Sequence, residues 1–386
     1  MTPNEPHTFE RRVLLAVSGL TPQVVTETLY ALIHQPAPFV PTEVRLITTA
    51  EGAARARLAL LSEDPGWFRR LCLDYALPPI AFGEAHIHTI EDASGVALAD
   101  IRTPADNQHA ADRITDIVRT LTADPGTALH VSIAGGRKTM GYYLGYALSL
   151  FGRPQDRLSH VLVSEPFESS WEFFYPTRHE RIIQTRDGKL ADCREARVTL
   201  AEIPFVRLRE GLPPGLLTGH ASLSEVVAAA NRALMEPHLF IDINAKSVTA
   251  DGVALDLSPT ELAVLLWLAE RAGSGEPNVC WQDADEAEGF LAVAARLMNS
   301  MTGEYERCEK AIRERSSDPK MLGEYFEPHK SRIKTAFETA LGRQAAARYL
   351  IQRDGPRGHS YYYLPLEPGQ IEICDQPGTG KKRETL

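Results

Sequence analysis

Residues 129–147, with the sequence LHVSIAGGRKTMGYYLGYA, constrain the fold of this chain more than any other segment. Apolar residues alternate in its first part, as in a buried strand, and recur at helical spacing in its second part. The change of period falls on Gly135 and Gly136. The first turn of a helix carries unpaired N–H groups and a partial positive charge, and glycine lets a phosphate approach the backbone closely. The segment therefore predicts a strand that leads directly into a helix whose N-terminus binds an anion.

The loop GGRKT at residues 135–139 adds two full positive charges, on Arg137 and Lys138. Its sequence matches neither the Walker pattern of phosphate-binding loops nor GxGxxG, which argues against a Walker-type nucleoside triphosphatase and against a dinucleotide dehydrogenase. A phosphodiester ligand that requires no metal stays open. The residues of this segment predicted to contact a ligand are Gly135, Gly136, Arg137, Lys138, Thr139 and Met140.

The start of the chain has the same order of patterns. Residues 12–17, RVLLAV, predict a buried parallel strand, and the loop SGLTPQ then leads into a helix that we expect to start near Thr21 and to stop before Pro36. In open α/β sheets, ligands bind outside the carboxyl ends of the strands, so this loop and the GGRKT loop are predicted to converge on one ligand. The residues predicted to contact it from this side are Ser18, Gly19, Leu20, Thr21 and Gln23.

Between the two loops, strand and helix patterns alternate. Strands are predicted at residues 43–49, 80–82 and 159–163, and helices at 51–61 and 112–121. This alternation predicts a parallel sheet with right-handed crossovers. The fold class is therefore α/β, with a Rossmann-like domain over residues 1–205 and a second, smaller domain.

A polar segment at residues 100–107, DIRTPADN, precedes the second of these helices. It is rich in turn-forming residues, so it could fold over a ligand, or it could be a connecting loop with an Asp–Arg pair at the surface. From it we predict ligand contacts by Arg102 and Asn107. Thr49, at the end of the strand over 43–49, is predicted to contact the ligand as well.

Length and composition agree with two domains in one chain of 386 residues. No apolar run reaches the roughly 18 residues of a membrane helix, and the N-terminus lacks the apolar core of a secretion signal. The five cysteines show no metal-ligand spacing. We therefore expect a cytoplasmic protein with reduced thiols and no membrane partner. The formal net charge of −10 argues against broad, nonspecific binding of nucleic acid, but a small anionic ligand in a local basic pocket is compatible with it.

The second half of the chain has a different pattern. Residues 206–236 are predicted to be a linker and a helix, and residues 375–386 a disordered tail. Within 237–374, short antiparallel strands with an Asp-Gly turn precede SPTE at 258–261, which has the cap, proline and acidic residue typical of a helix start. A helix over 331–341 and a hairpin that pairs 349–351 with 361–364 would follow. This order looks like a winged helix-turn-helix domain with a helical insertion.

Three segments of the first domain carry a family resemblance. They are LLAVSGLTPQVVTETLYAL, DIRTPADNQHAADRI and HVSIAGGRKTMGYYLGYALSLFG. Over roughly residues 10–180 the chain resembles the CRISPR-associated Rossmann fold (CARF) proteins, particularly the ring-nuclease branch related to the effector ribonucleases of type III CRISPR systems. The resemblance implies a homodimer that binds cyclic oligoadenylate across its interface, with the tetra-adenylate ring favoured, and that cleaves the ring.

The chemistry of that cleavage indicates roles for the two loops. Attack of a 2′-hydroxyl on its own 3′–5′ phosphodiester requires in-line geometry and stabilisation of charge on the phosphoryl oxygens, and it needs no metal. Lys138 or Arg137 would stabilise that charge. Ser18 and Thr139 would hold phosphate oxygens or orient the 2′-hydroxyl. The predicted catalytic residues are Lys138, Arg137 and Ser18, with no metal and no cofactor, and the predicted products are linear oligoadenylates with 2′,3′-cyclic phosphate ends.

Simpler interpretations of the same residues stay open. Gly135 and Gly136 could only permit tight packing of a helix on the sheet, Lys138 could bind without catalysing, and Ser18 could be a helix cap. Two other functions also stay open. The first is a DNA-binding transcription regulator that responds to the ring, for which the basic residues are Lys330, Arg332, Lys334, Arg343, Arg348, Arg353 and Arg357. The acidic residues of 283–288 argue against it.

The second is a ligand-activated ribonuclease of the type that effector relatives carry. The sequence signature of such a ribonuclease is an arginine followed, after four to six residues, by a histidine on a helix. Arg232 with His238, and Arg353 with His359, have this spacing, but glycine and proline residues between or beside them disfavour a helix.

Overall fold

The computed structural model describes residues 5–168, 170–276, 278–298, 303–356 and 360–375. The chain divides into two compact units, Met1–Arg209 with Leu217–Val226, and Glu210–Leu216 with Val227–Leu386. The division falls within the predicted linker at 206–236. Of the predicted tail, only Asp375 is described, and it accepts a hydrogen bond from Arg296 at 2.8 Å.

The first unit is built on a six-stranded sheet. Its described residues form the strands β1 (Arg11–Val17), β2 (Glu43–Thr48), β3 (Ile87–Thr89), β4 (Thr127–Ser132), β5 (Arg157–Val163), β6 (Ile182–Gln184), β7 (Leu190–Asp192) and β8 (Val198–Glu202). The sheet has the order β3-β2-β1-β4-β5-β8, and β6 and β7 pair separately. Strands β1 to β5 run parallel, and β8 is antiparallel to β5 at one edge. The predicted α/β class with a Rossmann-like parallel sheet is confirmed.

Helices connect these strands and close both faces of the sheet. The described helices of this unit are α1 (Gln23–Ile33), α2 (Ala50–Ala56), α3 (Trp67–Asp74), α4 (Pro104–Ala123) and α5 (Lys138–Phe151). Two more, α6 (Pro214–Thr218) and α7 (Leu223–Arg232), are shared between the two units. All six residues of β4 are buried, as expected for a parallel strand covered on both faces. None of the helices in the described residues combines the length and the apolar character that a membrane span requires.

Helix α4 begins eight residues before the predicted start at 112, so the prediction of a loop over 100–107 is wrong in its second half. Thr103 is the N-cap: its hydroxyl accepts from the N–H of Asp106 at 3.1 Å, and the Asp106 carboxylate accepts from the N–H of Thr103 at 2.9 Å. Pro104 occupies the first helical position. Asn107 therefore lies on the first turn of a helix.

The predicted strand over 80–82 is also wrong. Ala81 forms a single bridge with Glu43 and does not extend into a ladder. Pro78 and Pro79 directly precede this segment and Gly83 follows it. Because proline has no N–H to donate and glycine weakens a strand, the pairing stops after one residue.

The described residues of the second unit combine short strands with five helices that lie wholly within it, besides parts of α6 and α7. The strands are β9 (Leu239–Asp242), β10 (Ser247–Ala250), β11 (Val253–Ala254), β12 (Gln352–Asp354), β13 (Tyr361–Tyr363) and β14 (Ile371–Cys374). The helices are α8 (Pro259–Gly273), α9 (Ala284–Leu297), α10 (Glu304–Arg313), α11 (Pro319–Leu341) and α12 (Arg343–Ala346). One sheet has the order β11-β10-β9-β14, and β12 pairs with β13.

Local sequence signals at the start of this unit are confirmed. The Asp-Gly turn joins β10 to β11, and Asp251 and Gly252 have φ values of +50° and +74°, as a type I′ turn requires. Helix α8 starts with Ser258 as its N-cap, and Glu261 completes a capping box.

The predicted hairpin is correct in its second strand and wrong in its first. Residues 352–354, not 349–351, pair with 361–363. Tyr349 is buried instead: its ring stacks on Phe337 at 5.2 Å between centroids, and its hydroxyl donates to Asp251 at 2.6 Å. The predicted helix over 331–341 is the second half of α11. Arg357 and His359 lie outside the described residues, and the winged-helix assignment stays a prediction.

Candidate functional site

The loops after β1 and β4 lie next to each other at the switch point of the sheet. From β1 the chain crosses to β2 on one side, and β4 pairs with β1 on the other side. Such a point is where open α/β sheets form a crevice beyond the carboxyl ends of their strands. Both predicted ligand loops therefore flank one crevice.

Glycine residues let the two loops touch. A Cβ atom on Gly135 would lie 2.6 Å from the carbonyl oxygen of Val17 and 3.3 Å from the Cα of Ser18. Gly136 has φ +76°, a left-handed conformation that favours glycine. A Cβ atom on Gly19 would lie 3.6 Å from the Cα of Gly136. Close packing of one loop on the other is thus one reason for glycine at 135, while Gly136 is exposed.

Ser18 lies beneath the surface of the crevice. It is fully buried, its N–H donates to the carbonyl of Ile47 at 3.1 Å, and its own carbonyl accepts from the Thr48 hydroxyl at 2.7 Å. Thr49 is also buried, and its hydroxyl accepts from the N–H of Gly52 as the N-cap of α2. The burial of both side chains favours a positioning role over direct contact with a ligand.

The N-terminus of α5 is the exposed part of the crevice. Gly136, Arg137, Lys138 and Thr139 are exposed. Arg137 is the N-cap residue, and its side chain accepts no hydrogen bond from the N–H groups of the first turn, nor is such a bond made by another side chain in the described part of the chain. Met140, predicted to contact a ligand, is instead fully buried in the core. This end of α5 has the geometry of an anion site.

The two basic residues of the GGRKT loop differ in their partners. Arg137 donates to both carboxylate oxygens of Asp100, with Nε 3.0 Å from Oδ1. Arg102 donates to the same carboxylate at 3.3 Å. These hydrogen bonds, that of Arg137 above all, lower the pKa of Asp100 to about 2. Within the described part of the chain Lys138 makes no ion pair, so its charge is the one left uncompensated in this loop.

The remaining predicted residues lie around this centre. Leu20 and Thr21 are exposed on the first loop, and Gln23 is buried at the start of α1. Asn107 donates to the Tyr143 hydroxyl at 2.5 Å, which links α4 to α5. The sequence did not predict Tyr143 as a site residue, although it lies in α5, the helix into which the GGRKT loop leads. Nor did it predict Asp100 as a partner of Arg137, because a contact between residues 37 apart has no local signal.

Among the described residues, no three His, Cys, Asp or Glu side chains lie close enough together to hold a metal ion.

The basic residues predicted to read DNA are mostly paired with carboxylates. Lys330 lies 3.1 Å from Glu327, and Arg332 lies 3.5 Å from Glu261. Lys334 and Arg348 are ion-paired too, the latter with Asp251. A DNA reader would have to exchange these partners for phosphates.

Neither Arg–His pair lies on one helix. Arg232 is the last residue of α7, and His238 directly precedes β9. Arg353 lies in β12, and its partner His359 falls outside the described residues. This placement gives no support to a helical ribonuclease site at either position.

Comparison with known proteins identifies a family for the first unit. Residues 21–236, more than half of the chain, match the model of the family described as CRISPR-associated protein NE0113. No curated protein is similar to the chain. Among solved structures, Csm6 of Enterococcus italicus bound to cyclic hexa-2'-fluoro-hexa-dAMP is similar at 12% identity and a TM-score of 0.27. The similarity covers 85% of this chain and 60% of that chain, so the chain spans less than two thirds of the Csm6 length.

Proposed function

This chain belongs to the CRISPR-associated NE0113 family, and we propose that it is a ring nuclease that binds cyclic oligoadenylate in the crevice between the β1 and β4 loops and cleaves it. The tetra-adenylate ring is the favoured substrate. The observation that carries the proposal is the uncompensated ammonium group of Lys138, exposed at the uncapped N-terminus of α5.

The arrangement suits phosphodiester cleavage. In the reaction the 2′-oxygen forms a bond to phosphorus while the bond from phosphorus to the 5′-oxygen breaks. The proton lost by the 2′-hydroxyl ends on the 5′-oxygen, which gives a 2′,3′-cyclic phosphate and a 5′-hydroxyl. Lys138 and the N–H groups of the first turn of α5 would stabilise the charge that develops on the phosphoryl oxygens. Buried Ser18 would hold the β1 loop against β2 and so position the crevice.

A second copy of the chain would complete the site. Tyr142 lies one turn beyond Lys138 and is 67% exposed, with the Tyr146 ring 5.8 Å from its own. An exposed tyrosine ring beside a half-buried one on the same helix is typical of a surface that packs against a partner. A twofold dimer would present two equivalent crevices to a ring of matching symmetry. We therefore include homodimerisation through α5 in the proposal.

The test is to incubate the protein with cyclic tetra- and hexa-adenylate in EDTA and to follow the products by chromatography and mass spectrometry. We expect linear products with 2′,3′-cyclic phosphate ends, formed at about the wild-type rate by Ser18→Ala, because the backbone N–H and carbonyl through which Ser18 holds the β1 loop are kept. Tight binding without turnover would overturn the nuclease proposal. It would favour the transcription regulator. The affinity of the protein for DNA, measured with and without the ring, would then test that function.

Asp100→Asn is expected to tighten binding of the ring by about two- to tenfold at low salt. The substitution removes a carboxylate beside the proposed phosphate site and releases Arg137 from its ion pair. Titration calorimetry with a ring whose 2′-hydroxyls are replaced by fluorine, which cannot be cleaved by this route, measures the change. Asp92→Asn is the matched control, because among the described residues the Asp92 carboxylate accepts from Ser94 and Val96 of its own turn alone. Equal affinities of the two variants would show that Arg137 takes no part in binding.

A further inference from the structure

A second cavity opens beside the crevice, on the α1 side of the sheet. Its volume is about 430 Å³, within the range of small-molecule sites. Thr21 of the first loop and Ala134 of the second line it, together with Gln23 and Glu27 of α1. Gln23 and Glu27 are four residues apart on one helix and therefore share a face. The cavity is thus continuous with both proposed ligand loops.

The hydrogen bonds of Gln23 fix the orientation of its amide. Its Nε2 donates to the carbonyl oxygens of Ser170 and Trp171, at 3.5 and 3.3 Å. Carbonyl oxygens only accept, so the NH₂ group must be on that side. The side chain is 5% exposed, and its Oε1 has no hydrogen-bond partner among the described residues. A buried acceptor without a donor is costly, and a ligand N–H would satisfy it.

Glu27 has an unusual protonation state. Burial raises the pKa of its carboxyl to about 8, and the nearby Glu168 carboxylate contributes in the same direction. Glu27 is therefore mostly a neutral acid at pH 7, with one O–H donor and one carbonyl acceptor. The other charged or titratable groups that line the cavity are His160 of β5 and Arg186, which follows β6.

We infer that this cavity takes an adenine base of the cyclic oligonucleotide, with the Glu27 carboxyl donating to N1 and accepting from the 6-amino group, and Gln23 Oε1 accepting from the same amino group. The inference rests on the proposed function and names its base-recognition site. The edge of adenine presents two N–H donors and one acceptor, and the two side chains offer the complementary two acceptors and one donor. Guanine presents the acceptor O6 in place of the 6-amino group. The Glu27 carboxyl can turn to match either base, but Gln23 Oε1, whose orientation is fixed, would face O6, and two acceptors repel each other.

The cavity lies close enough to the N-terminus of α5 for the base and the phosphate of one nucleotide to reach both. Ala134 is four residues from Lys138, a span of at most about 14 Å, so a phosphate at the N-terminus of α5 and a base in the cavity can belong to one nucleotide. Trp171 lines the cavity and is 63% exposed, which leaves a ring face on which a base can stack.

The experiment measures binding of the 2′-fluoro tetra-adenylate ring between pH 6 and 9. For the wild-type protein, we expect constant affinity up to about pH 7.5 and then a loss that approaches about tenfold by pH 9, as Glu27 loses its proton. Glu27→Gln keeps a donor and an acceptor and should bind at the wild-type level throughout. Glu27→Met should bind about ten- to a hundredfold more weakly at pH 7. Glu63→Gln, at an exposed residue outside the cavity, is the control.

The outcomes separate the two proposals. A flat pH profile for the wild type, together with wild-type affinity of Glu27→Met, would overturn base recognition by Glu27 and leave the ring nuclease proposal intact. Equal affinity for a cyclic tetraguanylate would also overturn it. Failure of the wild-type protein to bind any ring would overturn both.

The protein without ligand gives an independent check of the protonation state. Glu27 titrates near 4.5 when unfolded and near 8 when folded, so the unfolded chain binds fewer protons between these values. Stability of the wild type should therefore fall, relative to Glu27→Gln, as pH rises through that window. Parallel curves for the two proteins in urea denaturation would show that Glu27 is charged when folded.

Discussion

Lys138→Ala is expected to lower the rate constant of ring cleavage by about a hundredfold to a thousandfold, with little change in melting temperature. The loss corresponds to removal of one charged group that stabilises the transition state. The side chain is exposed and makes no ion pair in the described part of the chain, so the fold does not depend on it. Single-turnover cleavage, with protein in excess over ring, measures the chemical step apart from product release.

Two further variants assign the effect to position 138. Arg137→Ala should lower the rate less, because the Arg137 charge is already compensated by Asp100. Lys189→Ala, which removes an exposed lysine that pairs with Asp187 in the β6–β7 hairpin, should not change the rate. A wild-type rate for Lys138→Ala would show that another group stabilises the transition state, and a fall only in affinity would make Lys138 a binding residue.

Gly135→Ala is expected to destabilise the protein by about 1–3 kcal/mol and to slow cleavage by about a hundredfold. The added methyl group would lie 2.6 Å from the carbonyl oxygen of Val17 and 3.1 Å from a Val24 methyl group. Both are held in place, the first by the sheet and the second by the packing of α1. The loops must therefore move apart, which displaces the first turn of α5 from the crevice. Urea denaturation and single-turnover cleavage measure the two effects.

Gly145→Ala, in the helix that follows this loop, is the matched control. A Cβ atom there would meet Leu158 at 3.6 Å, an ordinary contact, and alanine favours a helix more than glycine does. We expect unchanged or slightly higher stability and unchanged cleavage. If Gly135→Ala behaved like this control, the contact between the two loops would be unimportant for both folding and activity.

The four central strands of the sheet were predictable from the sequence because their signals are local, whereas the edge strands β3 and β8 were not predicted. Strands β1, β2, β4 and β5 are apolar runs that end at glycine or hydroxyl residues, and the glycines of GGRKT mark the start of α5. The N-cap of α8 was found from SPTE. The start of α4 has the same kind of signal, with Thr103, Pro104 and Asp106, but the polar and turn-forming residues around it are equally typical of a loop.

Contacts between distant segments were not predictable in this way. Only the folded chain brings Asp100 to Arg137, and only burial of Glu27 beside Glu168 makes its carboxyl neutral at pH 7. The burial of Ser18 has the same origin, because β2 and its loop cover a residue that would be exposed at the end of an isolated strand. Because the site depends on such contacts, the roles of the site residues stay predictions, whereas the fold class is confirmed.

The contact between the loops has a consequence for motion. Gly19, Gly135 and Gly136 bring the two backbones together without side chains between them, and a Cβ atom on Gly52 would lie 2.6 Å from the Gly19 carbonyl oxygen. We therefore expect a displacement of either loop to move the other and the start of α2. We expect the three segments to open cooperatively, with one free energy of opening, so that a bound ligand would protect all three from hydrogen exchange together.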